Sequence, residues 1–360
     1  MRHLPASLRR PLQLLSLLTT SFLALPLAAN PLPPPQERKE EKEAPKPLPP
    51  SPDARVVPFD AAKVRHWPGL PNQGAACFIN ASFKLLASVP ALDPVLADTP
   101  GDDLPTANLR RQLRQVINFI RSADAPGQPP AKDVVAGFFD ALARHERTTT
   151  TFKRAQAYGG QPSDFIDLLL SVLGKPDAFA IATTVRTTST DPAATATYDD
   201  SFPLRLNLSA GPGGRDLAPV HTLADFLVRV LTVPDCWSVG AHTTHVHTYP
   251  TLVPETAFLS VNRVPAPGKP VAFSATVQIP TFTVDKAQGT ATPRGSITLH
   301  PTALGMDSEN HAWAVVRGND GWYVQDEELP PRPATPAELD DHEDPAEERS
   351  RRVGFVVYHK

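Results

Sequence analysis

The 360-residue chain has two thiols, Cys77 and Cys236, and Cys77 stands where a thiol can do chemistry. It follows a turn rich in Gly, Pro and Asn (GLPNQGAA, residues 69–76) and opens an apolar run with helical spacing: Phe78, Ile79, Phe83, Leu85 and Leu86. Where a turn enters a helix, unpaired amides and the positive end of the helix dipole favour a thiolate. A cysteine nucleophile also needs a base beside it and a third group to orient that base. His311 opens the strand-like run HAWAVV, and Asp326 follows 15 residues later, after a turn and a second short strand. Adjacent antiparallel strands would bring this carboxylate to the imidazole. Acyl transfer further needs donors for an oxyanion; Asn72, five residues before Cys77, offers a side-chain amide, and the Cys77 amide is a second. Singly these residues read as a small buried thiol, a structural histidine and a solvated acidic turn (Asp326, Glu327, Glu328). Their combination is what points to nucleophilic catalysis.

The positioning elements follow from periodicity. Apolar stripes predict helices over Cys77–Ser88, Thr106–Arg121, Asp133–His145 and Ser163–Leu173, with a short one over Leu223–Leu231. From about Phe179 the period falls toward two. Strands are predicted at Ala180–Thr188, Leu204–Leu208, Thr256–Asn262, Val271–Val277, Thr281–Val284, Ser296–His300 and Val353–Tyr358, with a hairpin of His311–Arg317 and Trp322–Gln325 over Gly318–Gly321. Helices first and antiparallel strands after make an α+β chain. Glu338–Arg351 reads as a charged surface excursion. His242, His245 and His247 (HTTHVH) read as a loop surface rather than a metal site, for want of a fourth ligand. No metal or cofactor is expected.

Composition bounds the rest. Forty-two prolines imply loops and interrupted helices, and a net charge of −3 gives no argument for nucleic acid. Residues 1–29 read as a secretory signal: Arg9 and Arg10, an apolar stretch from Leu12 to Leu27, then Ala28-Ala29. No membrane span is expected after its cleavage. Residues 30–54 are Pro-rich and charged and read as a disordered linker. Residues 55–360 are expected to form one catalytic domain, mainly helical over 55–175 and mainly strand over 176–360. Cys236 is expected either as a free core residue or bridged to Cys77.

Gly69–Leu86 resembles the cysteine box of the ubiquitin-specific proteases, a papain-like family whose box reads roughly GLxNxGxTCYxNxxLQxL. The match runs through Gly69, Leu70, Asn72, Gly74, Cys77, Phe78, Asn80 and Leu86. GGQPSDFIDLLLSVL (159–173) resembles the family's QQDAxEFLxxLL, with Asp164-Phe165 in place of Glu-Phe. Phe258–Arg263 resembles LxxxLxRF, His311–Arg317 with Trp322–Glu327 the histidine box GHYxAYxR…WYxFDD, and Val353–His359 the closing strand YxLFYxR. Ala76, Phe78, Asn310 and Ala312 depart from the pattern, and the zinc-binding fingers with paired CxxC motifs have no counterpart.

The resemblance implies a papain-like cysteine protease fold, with the Cys77 helix packed against an antiparallel sheet. It implies Cys77 as nucleophile, His311 as base, Asp326 as its orienting acid, Asn72 as oxyanion donor, and Glu327 as a second acid supporting the oxyanion region. The expected activity is hydrolysis after the C-terminal glycine of ubiquitin, at isopeptide and ester linkages. The partners would be ubiquitin and ubiquitinated host proteins. With the leader, it implies a secreted bacterial effector, a monomer acting in the host cytosol. The alternatives are a ubiquitin-binding pseudo-protease, which the substitutions beside His311 suggest, or a cysteine protease for another modifier.

Overall fold

A computed structural model describes residues 55–360 apart from 73–75, 98, 100, 124–126, 146–159, 192–194, 203, 208–234, 240–241, 263–275, 309–310 and 340–351. The chain divides into two compact units, Met1–Asp53 and Ala54–Lys360, and every described residue belongs to the second. The expected leader and linker, the short helix at Leu223–Leu231 and most of the strand at Val271–Val277 lie outside the described residues.

The helical half contains α1 (Cys77–Ala87), α2 (Asp93–Leu96), α3 (Leu104–Arg121), α4 (Ala131–Arg144) and α5 (Pro162–Val172). Local chemistry sets their ends. Asp103 caps α3 by accepting the Thr106 N–H, with Pro105 in the first turn, and Pro162 opens α5 where no amide donor is needed. At the far end of α1 the buried Arg121 donates from Nε to the Ala87 carbonyl (2.9 Å) and from Nη2 to the Val89 carbonyl, so a cation closes the negative end of the helix. α1 lies at the centre. Every residue from Phe78 to Ala87 is buried, and Phe83 meets Phe138 of α4 edge to face at 4.8 Å and Phe165 of α5 at 6.4 Å. Such ring pairs add roughly 1 kcal/mol each beyond their area.

The strands are β1 (Ile181–Ser189), β2 (Ala196–Phe202), β3 (Leu204–Asn207), β4 (Asp235–Val239), β5 (His242–Leu252), β6 (Thr256–Asn262), β7 (Val277–Asp285), β8 (Thr290–Ser308), β9 (His311–Arg317), β10 (Trp322–Gln325), β11 (Arg332–Pro333) and β12 (Arg352–His359). One sheet runs β11-β10-β9-β8-β12-β6-β3, with β7 paired to β8, and a second runs β2-β1-β5-β4. The pairings are antiparallel except β3 with β6, which is parallel. The strand half is therefore mixed at that edge, against the expectation of a purely antiparallel sheet.

Period-two alternation buries both faces of the large sheet. Ala312, Ala314 and Val316 of β9, with Phe355 and Val357 of β12, face the helical core. Val315, Val324, Val353, Val356 and Tyr358 belong to a second core. The register shift at Gly354 puts Val353 and Val356 on one side, which strict alternation would separate. α1 rests directly on the sheet at Gly305, where an added Cβ would stand 3.0 Å from Leu85 and from Phe355.

Two expectations are overturned here. His242, His245 and His247 lie in β5 between β1 and β4, not in a loop; the β-branched Thr243, Thr244 and Val246 between them suit a pleated ladder. Glu338 was expected in a solvated charged excursion, yet it is buried and closes a capping box with Thr335 while pairing with Arg332. The Arg332 guanidinium holds its carboxyl down to about 2.

Candidate active site

Cys77 is the first residue of α1, and the helical ladder closes only from Ile79 and Asn80, whose N–H groups donate to the Ala76 carbonyl at 2.9 and 3.1 Å, so the Cys77 amide stands in the first, unladdered turn. Asn72 shapes this turn: its Oδ1 accepts the Ala76 N–H at 3.1 Å. Asn80, one turn into the helix, donates from Nδ2 to the Pro71 carbonyl at 3.2 Å, tying the incoming loop to α1. The loop also rests on the segment after β10. Leu70 donates its N–H to the Glu327 carbonyl at 2.8 Å, and a Cβ on Gly69 would come within 2.5 Å of the Glu328 carbonyl oxygen. Only glycine fits at that approach. Glu327 itself takes φ 42°, the left-handed region that non-glycine residues enter at a cost.

β9 and β10 pair as the hairpin predicted, with Gln325 opposite Ala314. His311 at the head of β9 and Asp326 just past β10 then meet, Nε2 to Oδ1 at 2.7 Å. The ring of His311 stacks on Trp313 at 5.7 Å, which fixes its plane. With Nε2 engaged, Nδ1 is the ring nitrogen left for the sulfur: Cys77 Sγ, a His311 ring nitrogen and a Glu327 carboxylate oxygen lie within 4.8 Å of one another. Nδ1 is 3.6 Å from Glu327 Oε1. The structure thus brings together Cys77, His311 and Asp326, and places Asn72 beside them through Glu327, whose Oε1 accepts the Asn72 amide at 2.6 Å.

The electrostatics follow from these contacts. Hydrogen bonding to Asp326 first and Cys77 second pushes His311 up to about 10, against the opposing effect of partial burial. At neutral pH the ring therefore carries both protons, so its fitting role is a cation beside the sulfur and a proton donor to a leaving group. Glu327 is pushed up, chiefly by burial.

Sequence reasoning missed a buried clamp under the site. Lys84 of α1 is 3% exposed; its Nζ donates to the Pro68 carbonyl, lies 3.5 Å from Gln325 Oε1, and sits 5.8 Å from the centre of the Trp67 ring. Gln325 in turn donates to the Val64 carbonyl at 2.9 Å. One ammonium thus joins the helix that carries Cys77, the loop leading to Asn72 and the strand that ends just before Asp326. Burial pulls Lys84 down to about 7. Its signal in the sequence was a lone lysine between Phe83 and Leu85 in an apolar helix.

Ala312 is buried, while Asn310 and residues 73–75 lie outside the described residues. So does the thiol of Cys236; Cys77 is free. The histidines of β5 gather no further ligand: among the described residues, the one group of three or more potential metal-ligating side chains is that at Cys77.

No protein-family model matches the sequence, and no curated protein matches it. Solved structures do. A chain of the SAGA Ubp8/Sgf11/Sus1/Sgf73 DUB module bound to ubiquitin aldehyde superposes with a TM-score of 0.57 at 11% identity, over 83% of this chain and 70% of that one. At that identity the likeness is one of fold: an α+β chain whose helices pack on a multi-stranded sheet, shared with a module solved on ubiquitin aldehyde.

Proposed function

We propose that this chain is a thiol-dependent ubiquitinyl hydrolase. The observation that carries the reading is the Cys77–His311–Asp326 arrangement at the junction of α1 and the β9–β10 hairpin, in a fold shared with a DUB module bound to ubiquitin aldehyde. In this reading the Cys77 sulfur attacks the carbonyl of the C-terminal glycine of ubiquitin. The Cys77 amide and the second Asn72 amide hydrogen take the oxyanion, with Glu327 holding Asn72 through the first. His311 gives its Nδ1 proton to the departing amine or alkoxide as the thioester forms. It then takes a proton from the water that cleaves the thioester, while Asp326 holds Nε2 throughout. The leader fits an exported enzyme acting on ubiquitinated proteins of a host cell.

The test is a panel of C-terminally activated modifiers, ubiquitin and its relatives, on reduced protein. A covalent ubiquitin adduct at Cys77, lost in Cys77→Ala, is expected. Adducts with another modifier alone would redirect the substrate assignment. No adduct with any of them would leave a binding protein and end the enzyme reading.

A further inference from the structure

We propose that Cys77, His311 and Glu327 form a three-ligand site for a borderline-soft divalent cation of the zinc class, which shuts off the thiol reversibly. Zinc takes thiolate at about 2.3 Å, imidazole at about 2.0–2.1 Å and carboxylate at about 2.0–2.2 Å in a tetrahedral array. Bonds of those lengths put neighbouring ligand atoms about 3.4 Å apart. His311 Nδ1 and Glu327 Oε1 already stand 3.6 Å apart, and the sulfur completes a group whose members lie within 4.8 Å of one another. Small rotations of partly exposed side chains close the remaining distance.

The outer contacts suit a metal as well. His311 engages the Asp326 carboxylate through Nε2 at 2.7 Å, leaving Nδ1 as the atom that would ligate; carboxylate–histidine–metal relays orient zinc sites in this way. Glu327 is braced by the Asn72 amide and by the Leu70 N–H on its own carbonyl, so its carboxylate is held toward the sulfur. On binding, the Nδ1 proton leaves to solvent. A thiolate, a carboxylate and a neutral imidazole then balance the two positive charges, and the fourth position stays open to water. A thiolate ligand favours zinc, cadmium or cobalt over magnesium or calcium.

Metal binding rests on the geometry alone; that it silences turnover rests on the hydrolase reading. Cobalt and cadmium are titrated into reduced, desalted protein, and the sulfur-to-metal charge-transfer absorption is followed. One equivalent is expected to bind with that band. Cys77→Ser should abolish it, Glu327→Gln should weaken binding tenfold or more, and the double variant His245→Ala/His247→Ala should bind as wild type does. Zinc should block alkylation of Cys77 by iodoacetamide, and a chelator should restore it. The inference is overturned by absence of the charge-transfer band, or by Glu327→Gln binding as tightly as wild type. It is also overturned if the β5 double variant removes the binding. If the band appears but no modifier probe labels the metal-free protein, the site stands and the hydrolase reading falls.

Discussion

Replacing Lys84 by methionine isolates the buried ammonium beneath the site. Lys84 is almost fully enclosed, and burial brings it from the ordinary 10.5 to about 7. That gap corresponds to about 5 kcal/mol of folding free energy between the two protonation states. Folded protein gives up this proton near pH 7, while the unfolded chain keeps it to 10.5. The unfolded state therefore binds more protons between those values, and stability from this residue rises with pH across the window. His311 acts in the opposite direction: its folded value is raised to about 10 from 6.5, so its contribution is full below 6.5 and is lost as pH climbs toward 10. The two trends oppose each other in the wild type, so the informative quantity is the difference between wild type and Lys84→Met. Between pH 7 and pH 9, wild type should gain about 2 kcal/mol on the variant, because the folded-state lysine is still half protonated at pH 7. Urea unfolding at closely spaced pH values reads this directly. The variant's lost hydrogen bond to the Pro68 carbonyl adds an offset, which leaves the slope untouched. Parallel pH profiles for the two proteins would refute the assignment of a depressed, buried Lys84.

Asn72→Ala should lower kcat on a ubiquitin C-terminal reporter by roughly 10²–10³ with a small change in KM, as expected for one oxyanion donor; an unchanged kcat would remove Asn72 from that role. Asp326→Asn withdraws the largest influence raising His311, so the alkaline edge of the pH–rate profile should move from near 10 toward neutral, and an unmoved edge would contradict it. Gly69→Ala drives a Cβ against the Glu328 carbonyl, so thermal unfolding should show a loss of about 1–3 kcal/mol, with slower labelling of Cys77. Labelling and unfolding equal to wild type would mean that the two segments part without cost.

The trio of Cys77, His311 and Asp326 was legible because each member sits at an element boundary that short-range pattern marks: a turn entering an apolar helix, and two strands joined by a Gly-containing turn. The site's supports were less legible. Lys84 interrupts no pattern strongly enough to declare itself buried, and its partners Pro68 and Gln325 come from distant stretches. β8 was expected to end at His300 but runs on to Ser308 through Pro301 and Gly305. Read locally, Pro and Gly are breakers. Here a register shift lies beside Pro301, and Gly305 makes room for Leu85 of α1. The histidine-rich β5 looked like a loop because neither of its edges is apolar, and only its pairing with β1 and β4 makes it a strand.

The position of β12 has a consequence for how the protein is made. It is the latest strand of the sheet in the chain, yet it lies inside it, hydrogen-bonded to β8 on one side and β6 on the other. Until it has been synthesised, β6 with β3 and β8 with β9 and β10 are separate pieces, each with an unpaired edge. Pairings between segments so far apart in sequence form slowly. A chain in which β12 has not yet paired has no closed sheet behind the His311–Asp326 hairpin. The sheet that carries His311 and Asp326 is then completed in a late step, when Val353–Tyr358 slides between its neighbours.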